Sequence, residues 1–188
     1  PGGRAILEAA GVLVLALVVW VISRSPAVNW VAWVLAIPAF GTSLLSALMG
    51  NPTLMAWSAL LEAALHFYAA GSLIAYMMAD QRVTVDELYA GGATFTLLAW
   101  GYAFSYLVCQ ALDPGSFLGA IDPDQPRTFI ELLSLSFTNL TATGLGDVVP
   151  IGAPARVLVM LEQFTGIGYV AMVISRLVAL TTSSRDSR

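Results

Sequence analysis

The chain has 188 residues, of which 58% are hydrophobic and only 11% charged, with a formal net charge of −4 and a mean hydropathy of +0.80. Soluble domains carry about a quarter charged residues, so this composition reads as an integral, multi-pass membrane protein. The acidic balance argues against nucleic acid as a partner, and Cys109, the single cysteine, excludes an intrachain disulfide.

A membrane span needs about 20 apolar residues. In chain order, spans are expected at Ala5–Ser23, Val28–Met49, Leu54–Met78, Tyr89–Leu112 and Pro154–Leu180. Pro38 is expected to kink the second. The third carries Glu62 and His66, one helical turn apart on one face. Ionisable groups at membrane depth are functional candidates, here as a protonatable pair that couples pH to activity. The alternative is a mutually satisfied structural pair. Before the fourth span only Arg4, Arg24 and Arg82 are basic, all at span ends, whereas a voltage sensor needs arginines at every third position along one span.

Between the last two spans lies Thr128–Leu140, too short to cross a bilayer, which leads directly into a glycine turn. A half-crossing helix followed by irregular backbone is tolerated at membrane depth only where it lines a cavity or is buried in protein. An ordinary amphipathic surface helix is the alternative. Pro126, Thr128 and Glu131 predict the helix start, with an acid in the first turn where the helix dipole favours it. The predicted fold class is therefore an all-α integral membrane protein of five spans plus one re-entrant segment. Residues 1–80 form the N-terminal spans, and residues 81–188 form a second domain.

Arg176, Arg185 and Arg188 place the C-terminus in the cytoplasm. Five spans then put the N-terminus outside, and with the chain opening at Pro1 a further upstream span is expected. Nothing resembles a signal peptide. The single histidine and single cysteine both sit in apolar runs, and no metal cluster, phosphate loop or nucleophile motif is present, so no enzyme and no cofactor are expected.

The turn after the short segment reads Thr141-Ala142-Thr143-Gly144-Leu145-Gly146-Asp147. Together with Val83-Thr84-Val85-Asp86-Glu87, Leu112-Asp113-Pro114-Gly115-Ser116-Phe117, Ser136-Phe137 and Leu161-Glu162…Gly166-Ile167-Gly168, it resembles the two-helix pore module of the potassium-channel superfamily. More narrowly, it resembles small bacterial ion-channel proteins with plain spans ahead of the pore. The likeness covers roughly the last 105 residues. It implies a passive, potassium-selective channel in the cell membrane, surrounded by lipid, with potassium as permeant ion and no other metal. In such filters backbone carbonyls replace the water shell of the ion, and glycines permit the required alternating twist. One chain supplies one filter strand, so a homotetramer closed around an axis is implied.

Compared without gaps to T-T-V-G-Y-G-D, residues Thr141 to Asp147 form the ion-binding segment, with departures at Ala142, Thr143 and Leu145. Ala142 loses a hydroxyl that helps bind the innermost ion, and the Thr143 hydroxyl behind the filter needs a partner. These departures keep open a weakly selective cation channel of the same architecture, and a non-conducting membrane subunit is the further alternative. Gly166 falls at the usual hinge of the inner helix, with Gly168 as a second weak point; close helix packing is the competing reason for both. Ile167, Val170 and Ile174 are expected to line the inner cavity, and Glu162 to brace the short helix. Asp113, Asp122, Asp124 and Asp147, against Arg127 and Arg156, are expected to form an acidic outer mouth.

Overall fold

The structure, a computed structural model, describes residues 29–79 and 85–186. The expected span at 5–23, with Arg4, Arg24 and Arg82, lies outside the described residues. Among the described residues five helices and two short strands follow one another: α1 (Asn29–Met49), α2 (Pro52–Ala79), α3 (Val85–Leu112), β1 (Phe117–Gly119), α4 (Phe129–Leu140), β2 (Val148–Pro150) and α5 (Ala153–Asp186).

Local chemistry sets the boundaries. Gly50 takes φ +62° and donates its N–H to Ser46, closing α1 with the left-handed residue that helix ends favour. One residue on, the Asn51 side chain accepts from the Thr53 N–H at 2.9 Å, and Pro52 sits in the first turn, where a missing N–H costs nothing. Helix α3 stops at Asp113-Pro114-Gly115, with Gly115 at φ +89°. Helix α4 starts on a reciprocal cap: the Thr128 side chain accepts from the Glu131 N–H and the Glu131 carboxylate accepts from the Thr128 N–H.

Among the described residues, three stretches are long and apolar enough to cross a membrane: Thr53–Ala79, Tyr89–Leu112 and Ala153–Arg176. They coincide with the third, fourth and fifth expected spans. Helix α1 covers the second, with an apolar stretch at Trp30–Ser46. It stays helical through Pro38. Helix α5 has 34 residues, ~51 Å at 1.5 Å per residue, well beyond the ~30 Å of bilayer hydrocarbon. Its end lies six residues past the expected Leu180.

Helix α2 packs along α3, α1 packs along α2, and α4 lies against both α3 and α5. Small residues permit the close approach: Ala63, Ala69, Ala70, Ala99 and Ala103 are buried, as membrane helix contacts require. At Gly101 a side chain would come within 3.0 Å of the Phe67 ring, so the missing Cβ is what admits that ring. The antiparallel pair β1–β2, with Leu118 opposite Val149, joins the loop after α3 to the segment before α5.

Candidate functional site

Helix α4 delivers the glycine turn, and three side chains fix α4. Glu162 of α5 is fully buried; the Tyr106 hydroxyl of α3 hydrogen-bonds its Oε2, and Ser136 of α4 bonds its Oε1. Ser136 Oγ also lies 2.8 Å from the Ala99 carbonyl of α3. One carboxyl group thus connects all three helices, the bracing role expected for it. A second link runs from Gln163 Nε2 to Asn139 Oδ1 at 3.0 Å. Further along, Tyr102 meets Thr165 Oγ1 at 2.7 Å, and Tyr169 donates to the Gly91 carbonyl at 2.5 Å. Sequence reading missed Tyr106, Ser136, Asn139 and Gln163 as partners; their signal was a polar atom placed inside an otherwise apolar helix.

The end of α4 turns sharply. Thr141 N–H bonds the Phe137 carbonyl, Ala142 N–H shifts to the nearer Asn139 carbonyl, and Thr143 and Gly144 N–H both reach the Thr138 carbonyl, at 2.9 and 3.0 Å. The Thr143 hydroxyl, which needed a partner, donates to that same carbonyl at 3.0 Å and lies 3.0 Å from Thr141 Oγ1. Left-handed backbone occurs at Ala142, φ +58°, and at Gly144, φ +63°. The sequence comparison put this conformation at the two glycines, whereas the structure puts the alternation two residues earlier, at Ala142 and Gly144. Tethering of the Thr143 and Gly144 amides to the helix end accounts for the shift. An alanine there carries strain that glycine would not.

Residues Thr141 to Asp147 are all exposed in the single chain, Leu145 at 80%. Beyond them, Ala120 N–H donates to the Asp147 carbonyl at 2.9 Å, and β2 pairs with β1. The segment is therefore held at both ends.

The outer loop depends on Arg127. Expected as a counter-charge in an acidic mouth, it is instead buried, with 4% of its surface exposed. Its guanidinium donates to the carbonyls of Ile121 at 3.0 Å, of Asp122 and of Gln125, and to Glu131 Oε1 at 3.0 Å. Gln110 of α3 bonds its backbone from both sides, accepting from the Arg127 N–H at 2.7 Å and donating to the Arg127 carbonyl at 3.0 Å. A rigid five-donor fork suits this role, and its charge is consumed inside the loop. Asp113, Asp122, Asp124 and Asp147 do remain exposed. The Thr128 hydroxyl, followed by the Thr128 N–H, holds the Glu131 carboxyl below the usual glutamate range.

Gly166 and Gly168 differ. A Cβ at Gly166 would overlap the Leu140 carbonyl and stand 2.8 Å from its carbon, whereas nothing lies within 4 Å of one at Gly168. Ile167, Val170 and Ile174 are exposed at 61%, 44% and 55%, on the face of α5 turned away from Glu162 and Tyr169.

Glu62 and His66 are brought together, though not as a shared proton. His66 Nδ1 lies 2.7 Å from the Glu62 backbone carbonyl and 3.8 Å from the Glu62 carboxylate. Nδ1 as donor to the carbonyl is the assignment this distance favours. The ring is buried and stacks on Trp100 of α3, with centroids 5.9 Å apart and planes 11° apart. Phe104 lies beside it, and both aromatics reach Phe129, the first residue of α4.

Among the described residues no group of three or more metal-ligating side chains occurs. Compared with known proteins, residues 83–183 match the model of a family described as an ion channel. No curated protein and no solved structure matches the chain.

Proposed function

The chain belongs to the ion-channel family, and we propose that within it the protein is a passive, potassium-selective channel. It is a multi-pass membrane protein, assigned here to the cell membrane. In this reading residues 81–188 are the pore domain and residues 1–80 its companion spans. Four copies assemble around an axis, each contributing Thr141 to Asp147 to the filter, and dehydrated potassium ions pass between the carbonyls. Neither a cofactor nor a metal beyond the permeant ion takes part.

The observation that carries the proposal is where the glycine segment sits. It follows the C-terminal end of a 12-residue helix, too short to span, whose electronegative end favours a cation. A membrane leaves few uses for such exposed backbone other than lining a path for ions. The apolar face of α5 that bears Ile167, Val170 and Ile174 would line the cavity below and gate by dewetting. A bend at Gly166 or Gly168 would widen it. Glu62 and His66 would couple protons to this pore through the ring contacts that end on Phe129.

A second reading, a cation channel with weak preference between potassium and sodium, is favoured by left-handed Ala142, where the family pattern has a hydroxyl. Reversal potentials of protein reconstituted in liposomes, with potassium exchanged for sodium on one side, decide between the two. A large shift supports potassium selectivity and no shift supports the alternative. Absence of any flux from an intact oligomer rejects both.

A further inference from the structure

We infer that Glu162 works as a neutral carboxylic acid, and that its own proton, donated to Ser136, is what holds α4 and hence the filter in position. The inference follows from counting protons. Two hydroxyl groups, those of Tyr106 and Ser136, make three contacts: Tyr106 to Glu162 Oε2, Ser136 to Glu162 Oε1 and Ser136 to the Ala99 carbonyl at 2.8 Å. Each hydroxyl has one proton to give. The Ala99 carbonyl can only accept, so the Ser136 proton goes there. The Tyr106 proton serves Oε2. The contact between Ser136 Oγ and Glu162 Oε1 then lacks a proton unless Oε1 carries one.

The surroundings agree with a neutral acid. Glu162 has no exposed surface, and an unpaired carboxylate in such a place is severely penalised. From α3 it faces Tyr106, with Tyr102 within electrostatic reach; from α4 it faces Ser136. All three are uncharged hydroxyls. Glu162 is thus a positioning residue: it touches no ion, and acts through α4, whose last turn delivers Thr141 and the residues after it.

The deprotonated form cannot make the same set of contacts. Ser136 would have to release either Ala99 or Glu162, and α4 would lose one of its two anchors at this point. Alkaline conditions are therefore expected to loosen the filter support.

Infrared spectra of the full-length protein in lipid test this directly, because a carboxylic acid and a carboxylate absorb in separate bands. At neutral pH, wild type minus Glu162→Gln is expected to show loss of a carboxylic acid band. Ser136→Ala, which removes the acceptor of the proton, is expected to keep that band but shift it. Loss of a carboxylate band instead, or a Ser136→Ala spectrum identical to wild type, overturns the inference. If Glu162→Gln yields no assembled protein, the Ser136→Ala spectrum decides alone. In liposome flux, Glu162→Gln is expected to match wild type at neutral pH and to lose the fall in activity that wild type shows as pH rises. An alkaline fall that persists in Glu162→Gln overturns it. The infrared arm needs no conduction, so the expected bands from a protein that passes no ions would support this inference while sinking the channel reading.

Discussion

Gly166 of α5 lies directly against the carbonyl of Leu140, the last residue of α4. The inner helix and the end of the short helix meet backbone to backbone, with no side chain between them. That contact gives Gly166 a packing reason which Gly168, facing open space, does not share.

The two glycines are therefore expected to respond oppositely to alanine. Gly168→Ala gains helix propensity of about 1 kcal/mol without a clash. Gly166→Ala must push Leu140 aside, at a cost of about 1–3 kcal/mol, and displaces the segment that follows it. Thermal melting of the oligomer and potassium flux read both effects. If Gly168→Ala also lowers open probability by roughly five-fold, the ratio that 1 kcal/mol commands, a bend at that position belongs to gating. Equal behaviour of the two variants would remove the packing argument.

Ala142 supplies a second expectation. Its left-handed backbone costs an alanine about 1 kcal/mol relative to glycine, so Ala142→Gly is expected to raise the melting temperature. Ala142→Thr, which would restore the family hydroxyl, puts a β-branched residue where that conformation is a true outlier. It is expected to lower stability unless the backbone refolds to the common filter path. A gain in stability, together with stronger potassium selectivity, would show that refolding.

The outer loop is expected to fail with Arg127. Arg127→Ala leaves three carbonyls and one Glu131 carboxylate oxygen without this donor, a loss of about 1–3 kcal/mol. Arg127→Lys is expected to recover little, since an ammonium cannot span the same fork of acceptors. Gly119→Ala offers a milder probe, because a Cβ there would run into the Arg127 guanidinium. Melting temperatures of the three variants give the order; a wild-type value for Arg127→Ala would refute the assignment.

Glu131 adds an acid limit. Its folded-state value lies below its ordinary one, with the Thr128 hydroxyl the leading cause. Its stabilisation is therefore complete above about pH 4.3, the unfolded value, and disappears as pH falls through the lower folded value. The melting difference between wild type and Glu131→Gln is expected to shrink in that acidic range. A difference that stays constant there would count against the cap.

Glu62→Gln and His66→Ala are expected to remove the response of flux to mild acid and to leave the potassium-to-sodium ratio untouched, since the proposed filter belongs to another element. Trp100→Leu, which breaks the ring contacts toward Phe129, is expected to weaken that response as well. An unchanged acid response in all three variants would leave the pair a structural one.

Much of the membrane-spanning plan was legible because apolar length is a one-dimensional property. Tyr89–Leu112 and the short helix ending at Leu140 could be read directly, as could the cap of Thr128 and Glu131. The polar contacts were harder. Nothing about Ser136 in sequence says which helix it will face, and its partners Ala99 and Glu162 lie 37 and 26 residues away. Arg127 misled for a related reason: a charge between aspartates reads as surface, and only the folded loop shows that backbone carbonyls consume it. The φ of Ala142 was not legible at all, because it is set by the amides that Thr143 and Gly144 turn toward Thr138.

The pairing of β1 with β2 makes the loop between α3 and α4 a handle on the Thr141–Asp147 segment. Gly119 pairs with Val148, the first residue after Asp147, while Arg127 packs against Gly119 from the other side. Force applied to residues 117–127 thus reaches the far end of the Thr141–Asp147 segment through one strand and one guanidinium. In the channel proposed above, a large molecule gripping that loop would strain the filter without ever entering the path.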